Sequence, residues 1–193
     1  ILANYRKELI NSLIKGEIDF AISEISPIEN NINILLKENE DLNYLRLYKD
    51  TLHLITKNDH PLQLNKIVSL KDTLKYSWIM PNDIMSTRLF RLRDAFLKHN
   101  LSPPIPKIMH NSGNFSLNII KQSNYIGIHP KQMINTANDN PLKILKIKGL
   151  KMERVFGITY LKSRTLTDPM KLMIKELKII SKQMILQEFV KNV

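Results

Sequence analysis

Leu9-Ile10-Asn11-Ser12-Leu13-Ile14-Lys15-Gly16-Glu17-Ile18-Asp19-Phe20-Ala21-Ile22 is the stretch that decides the fold class. Leu9-Ile10 and Leu13-Ile14 recur at i, i+1, i+4 and i+5, which puts them on one helical face. Asn4 stands where an N-cap is wanted, and Gly16 where a helix ends on a left-handed residue. Ile18 to Ile22 follows as a short apolar run suited to a buried strand. Helix, glycine and buried strand in this order is the pattern of a parallel α/β sheet. Ile1-Leu2 reads as the end of a preceding strand.

Downstream the alternation continues. Residues 23–44 are rich in Asn and Glu and read as an irregular connection, and Tyr44 to Ile55 reads as one or two strands. Asp59-His60-Pro61-Leu62 breaks that run. Ser69 to Lys75 suits a short helix, Tyr76 to Met80 a strand closed by Pro81, and Ser86 to Asn100 a helix with Leu89, Leu92 and Phe96 on one face. Ile105 to Met109 reads as a strand, Asn111 to Asn114 as the opening of a helix through Ile120, and Tyr125 to Ile128 as another buried strand. Leu142 to Ile147 and Val155 to Tyr160 are the last strands. A final helix is expected to be capped by Asp168, with Pro169 in its first turn. Its apolar stripe is Met170, Met173, Ile174, Leu177, Met184 and Ile185, and Lys171, Lys175, Lys178 and Lys182 line the solvent side. About seven strands in this length suit two small sheets better than one large one.

The chain has 193 residues, 43% hydrophobic and 24% charged, as in ordinary soluble domains. The absence of cysteine removes disulfides, thiolate nucleophiles and zinc ribbons together, and fits a cytoplasmic protein. No apolar run approaches the roughly 20 residues that cross a bilayer. Ile1 is not a methionine and no leader follows it, so the chain reads as a fragment whose upstream part is missing. The net charge is +11, unevenly spread: residues 1–60 hold seven basic and ten acidic side chains, so the excess lies downstream. Without an arginine cluster or interleaved aromatics, this charge reads mainly as solvated lysine. It predicts only weak, salt-sensitive, sequence-independent attraction to DNA.

Enzyme signatures are absent: there is no Gly-x-Gly-x-x-Gly, P-loop, Gly-x-Ser-x-Gly or His-Glu-x-x-His. His53, His60, His99, His110 and His129 are scattered without metal-ligand spacing, and each reads as a surface or packing histidine. Glu38, Glu40 and Asp41 lack the glycine and spacing of a calcium loop. No catalytic residue, metal or cofactor is therefore expected. Binding is better supported. In open α/β sheets, ligands sit beyond the carboxyl ends of strands, where helix N-termini present free N–H groups. Three stretches follow strand candidates and open helices: Ala3-Asn4-Tyr5, Met85-Ser86-Thr87-Arg88 and Asn111-Ser112-Gly113-Asn114. The plainer alternative is that each is only a cap. Their like placement favours a small-molecule site built from Asn4, Tyr5, Ser86, Thr87, Arg88, Ser112 and Asn114, with an anion as ligand.

The order of these elements resembles the effector-binding domain of LysR-type transcriptional regulators. Leu13 to Ile22 is similar to the family's L-x-x-G-x-L/I-D-x-A-I signature, and Asp59-His60-Pro61-Leu62 to its x-H-P-L turn. Tyr76-Ser77-Trp78-Ile79-Met80-Pro81 resembles Y-P-W-I-x-P, with Arg88 where an arginine often opens the next helix. Ser123-Asn124-Tyr125-Ile126-Gly127-Ile128-His129-Pro130 resembles G-x-G-I-A-x-L-P, with serine and tyrosine replacing both expected glycines. Leu142 to Ile147, and Arg154 to Arg164 with Leu166-Thr167, follow the closing pattern.

The resemblance implies an α/β fold of the type II periplasmic-binding-protein kind, with two Rossmann-like subdomains joined by two crossovers. Residues 1–50 with 148–193 would form one subdomain and 51–147 the other. It also implies a small effector bound between the halves, a homodimer or homotetramer that includes a twofold antiparallel dimer pairing unlike subdomains, and promoter DNA contacted only through an absent winged helix. Ile1-Leu2 matches the family's second strand, so its first strand and helix are expected to be missing. The main rival reading is an extracytoplasmic solute-binding protein, and an enzyme comes third.

Overall fold

Gly16 closes the first helix as its position requires. In the computed structural model α1 (Arg6–Ile14) buries Leu9 and Leu13, and Gly16 follows at φ +78°, where a side chain would be strained. The structure describes residues 4, 6–25, 41–82, 86–134, 141–187 and 190–191, so Ile1-Leu2, Tyr5, most of the expected connection at 23–44 and the acidic residues Glu38 and Glu40 lie outside it. The chain divides into two compact units, Ile1–Asp50 with Glu153–Val193 (unit 1) and Thr51–Met152 (unit 2).

Unit 1 contains α1, β1 (Ala21–Glu24), the first half of β2 (Leu42–Lys57), β7 (Glu153–Leu161) and α5 (Asp168–Leu186). The preceding strand expected at Ile1-Leu2, beside which β1 would run parallel, lies outside the described residues. The described pairing of β1 is antiparallel, to β7, from Ala21 opposite Thr159 to Glu24 opposite Phe156. Local sequence fixes a strand but not its neighbour, and here the neighbour is a strand arriving from more than a hundred residues away. The core of the unit is Leu47, Ile158 and Ile174, with Phe20, Leu45, Tyr48, Tyr160, Leu166 and Leu177 packed around it. Gly157 permits this packing: a Cβ there would lie 2.5 Å from the Leu45 carbonyl oxygen and 2.5 Å from Ile25 Cδ1. A backbone oxygen cannot swing aside as a side chain can. Gly157→Ala is expected to lower stability by about 1–3 kcal/mol, read as a reduced urea midpoint. An unchanged midpoint would show that β2 and β7 can separate at no cost.

Two expectations for α5 are corrected. Thr167, not Asp168, occupies its N-cap, without a side-chain hydrogen bond, and Asp168 is the first helical residue. Its carboxylate meets Lys171 Nζ at 2.9 Å instead. Of the expected stripe, Met170 and Ile174 are buried but Met173 is exposed, because the inward line runs through Met170, Ile174, Leu177 and Ser181. The four lysines do face solvent.

Unit 2 contains the second half of β2, α2 (Leu70–Thr73), β3 (Ile79–Pro81), α3 (Thr87–Leu97), β4 (Ile108–His110), α4 (Gly113–Lys121), β5 (Gly127–Pro130) and β6 (Leu142–Ile144). β3 pairs in parallel with β4, and a parallel bridge from Trp78 to Ile126 joins it to β5. β2 runs antiparallel to both β5 and β6. Strand alternation sorts the apolar side chains to two faces. Leu52, Leu54, Trp78, Met80, Ile126 and Ile128 pack with Leu92 and Phe96 of α3, whereas Ile55 and Ile79 pack with Leu117 and Ile120 of α4. Trp78 meets Phe96 edge-on at 5.9 Å, and its indole N–H donates to the Thr73 carbonyl at 3.2 Å.

Small polar residues fix the turns. Ser69 and Asp72 form a reciprocal capping box on α2. His60 Nδ1 accepts from Leu62 N at 3.1 Å, so its proton sits on Nε2, which donates to the Asn124 carbonyl at 3.3 Å. This histidine is the packing residue expected, and it ties the His-Pro-Leu turn to the one preceding β5. In that second turn, Ser123 does the work of the absent glycine: its hydroxyl donates to Ile119 O at 2.6 Å and accepts from Tyr125 N at 3.3 Å. Asn100, the expected helix stop, follows α3 at φ 55°.

Candidate functional site

Because β3, β4 and β5 run parallel, their carboxyl ends share one edge of unit 2. That edge carries Pro81, His110 and Pro130, with His129 one residue before the end of β5. Asn82 N donates to the His110 carbonyl at 2.8 Å and holds the ends of β3 and β4 together. Two helices begin at this edge. Ser86 caps α3 by accepting from Arg88 N at 3.3 Å, and Ser112 caps α4 by accepting from Phe115 N at 3.4 Å. A cap serine still has its hydroxyl proton to donate, and the first amides of each helix have no partner within the helix.

Arg88 turns back from the first turn of α3, and its Nη1 donates to the Ile128 carbonyl at 3.4 Å. That places a full positive charge beside two histidines. The His110 and His129 rings stack at 6.2 Å, 13° from parallel, and Ser116 Oγ lies 2.9 Å from His129 Nε2. Gly113 packs against the Met133 side chain: a Cβ there would lie 2.6 Å from Met133 Cε. Burial, then Arg88, then His110 push the His129 pKa down to about 3. Burial followed by Arg88 also lowers His110, with the Ser112 main chain opposing. Both rings are therefore neutral near pH 7, and Arg88 supplies the charge. Such a group of donors suits an oxyanion.

The structure brings some of the expected residues together. Ser86, Thr87, Arg88, Ser112 and Asn114 all belong to the two helix starts of unit 2, with Ser112 and Asn114 exposed and Ser86, Thr87 and Arg88 half-buried. Asn4 is exposed in unit 1, and Tyr5 lies outside the described residues. The sequence reading treats His110 and His129 as scattered surface or packing histidines; the structure buries both and stacks them at this edge. Each directly follows a predicted strand, Ile105 to Met109 or Tyr125 to Ile128, and position at a strand's carboxyl end was the available signal. Among the described residues, no three His, Asp or Glu side chains are grouped so as to hold a metal ion, and no helix is long and apolar enough to cross a membrane.

The pattern of the LysR substrate binding domain family matches residues 1–179. Solved structures share the fold. The regulatory domain of CcmR from Synechocystis PCC6803, in complex with 2-PG, is 18% identical with a TM-score of 0.74, over 92% of this chain and 80% of that one. The effector binding domain of QuiR in complex with shikimate is 24% identical with a TM-score of 0.70, over 93% and 79%. The cofactor-binding domain of the Cbl transcriptional regulator is 17% identical with a TM-score of 0.74, over 94% and 78%. No curated protein matches the sequence. With the family pattern spanning almost the whole chain, and a type II periplasmic-binding-protein-like α/β fold beneath it, the chain belongs to the LysR substrate binding domain family.

Proposed function

We propose that this chain is the effector-sensing part of a LysR-type transcriptional regulator, and that it takes a small anion at the Ser86–Arg88 and Ser112–Asn114 edge of unit 2. The observation that carries this reading is Arg88, which reaches from one helix start to β5 beside two neutral histidines. The match over residues 1–179 favours a regulator over a transport binding protein. The complexes of CcmR with 2-PG and QuiR with shikimate support a small-molecule ligand. The reading includes a twofold dimer, and contact with promoter DNA only through a part outside this chain. Signalling requires that the effector bind one arrangement of the regulator more tightly than another, since equal affinity for both shifts nothing.

A thermal-shift screen of small carboxylates, amino acids, and sulfur and phosphate anions is expected to find a stabilising ligand. Ser86→Ala with Ser112→Ala should then weaken that ligand by about 0.5–1.5 kcal/mol for each hydrogen bond lost. The same pair should lower stability by about 0.5–2 kcal/mol per cap. Full affinity in the double variant would remove both serines from the site.

A further inference from the structure

An anion held by Arg88 and two helix starts does not need two buried imidazoles, yet this edge has them. His129 is fully enclosed and His110 is 7% exposed. Nδ1 of each ring is buried without a hydrogen-bond partner. A buried polar atom left unpaired is costly, and a bound ligand is one way to satisfy it.

Ser116 determines what His129 can offer. The buried Ser116 hydroxyl is hydrogen-bonded to His129 Nε2 at 2.9 Å, and which of the two donates follows the imidazole tautomer. When that hydroxyl donates to Nε2, the imidazole proton sits on Nδ1, the unpaired nitrogen. His129 is then a donor without being a cation. A metal ion at the same nitrogens would face Arg88, whose charge acts on both rings. An anion would be drawn by it.

We propose that His129, His110 and Arg88 form an oxyanion subsite at the first turn of α4, in which His129 donates as a neutral imidazole and His110 takes a proton from solvent as the anion binds. The subsite rests on the effector site proposed above and specifies what part of the effector it recognises: a tetrahedral or carboxylate oxyanion. The groups acting on His110 are Arg88 from α3 and the Ser112 main chain from α4, with the His129 ring stacked on it from β5. Those acting on His129 are Arg88 and His110. An anion set against Arg88 offsets the repulsion that disfavours a proton on His110. His129, already near 3, stays neutral.

Inorganic sulfate is the probe, titrated calorimetrically into the 193-residue chain in two buffers of different ionisation enthalpy, with imidazole nitrogen shifts followed by NMR. Expected results are proton uptake on binding, affinity rising at least five-fold from pH 8 to pH 6, and a His110 pKa that rises with sulfate. His129 should keep its proton on Nδ1 throughout. His110→Gln should remove the pH dependence, and Ser116→Ala should weaken sulfate several-fold. Sulfate affinity that is independent of pH, a His110 titration indifferent to sulfate, or no sulfate binding at 50 mM would each overturn the subsite. NMR on the unmodified chain decides between these outcomes even if a variant misfolds. A screened effector weakened by Ser86→Ala with Ser112→Ala, but not by His110→Gln, would overturn the subsite and leave the effector site standing. An effector indifferent to all three substitutions and to Arg88→Ala would remove both.

Discussion

Asp50→Ala is expected to lower the unfolding free energy by about 3–5 kcal/mol. Asp50 and Arg154 are both buried, and Arg154 Nη2 donates to Asp50 Oδ2. The guanidinium also lies 4.7 Å from the centre of the Phe156 ring, which stacks on Tyr48 at 5.4 Å. Removing the carboxylate would leave a full cation inside unit 1 with only an aromatic face beside it, which water-like solvation cannot reach. Asp50→Asn keeps an acceptor and should cost less. Replacing both partners, as Asp50→Leu with Arg154→Met, removes the stranded charge and retains an apolar stem over Phe156. Asp50 Oδ1 and Arg154 Nε have no hydrogen-bond partners, so the native pair is itself incompletely satisfied. The double variant should therefore recover most of the loss. Urea denaturation of the single and double variants measures the coupling directly. A loss below about 1 kcal/mol in Asp50→Ala would mean that water reaches Arg154, and the pair would then count as a surface one.

That pair marks the limit of what sequence could convey. Leu9, Leu13 and Gly16 announce α1 and its end because helix period and left-handed φ are local properties. The alternation of Trp78, Ile79 and Met80 likewise announces a strand buried on both faces, and the structure sends its residues to two cores. Ser86 and Ser112 were legible as caps because capping acts over two or three residues. The β7 partner of β1 was not legible, since it arrives only after unit 2 has been completed. Neither was Asp50 with Arg154, 104 positions apart. His110 and His129 sit on strands that β3 separates in the sheet, and only the parallel order β4, β3, β5 brings their rings to one edge. In the final helix, periodicity placed Met173 in the buried stripe, yet it stays exposed, as do Leu172, Ile179 and Ile180 outside that stripe: the helix offers more apolar residues than its single inward line can use.

Acid should begin to destabilise this chain before its carboxylates titrate. His60, His110 and His129 all have pKa values lowered first of all by burial. In the unfolded chain each returns to about 6.5. Between that value and the folded pKa, the unfolded state holds the extra protons, so stability rises with pH there and is lost as pH falls. The contribution is complete above the unfolded pKa. For His129 the loss continues down to about 3, and by then it reaches roughly 4–5 kcal/mol, since each tenfold change in proton affinity is worth about 1.4 kcal/mol. Asp72, held below its usual value first by the Ser69 hydroxyl, adds its effect only below about pH 4. The window from pH 7 to pH 5 therefore reports the histidines. His129→Asn should reduce the slope of stability against pH by about 1.4 kcal/mol per pH step of one near pH 5, while costing stability at pH 7 through the lost Ser116 contact. Urea midpoints at pH 7, 6 and 5 for the two proteins decide it. Parallel curves would mean that His129 opens to solvent and protonates in the folded state, and the neutral imidazole at the end of β5 would be lost as a fixed feature of the site.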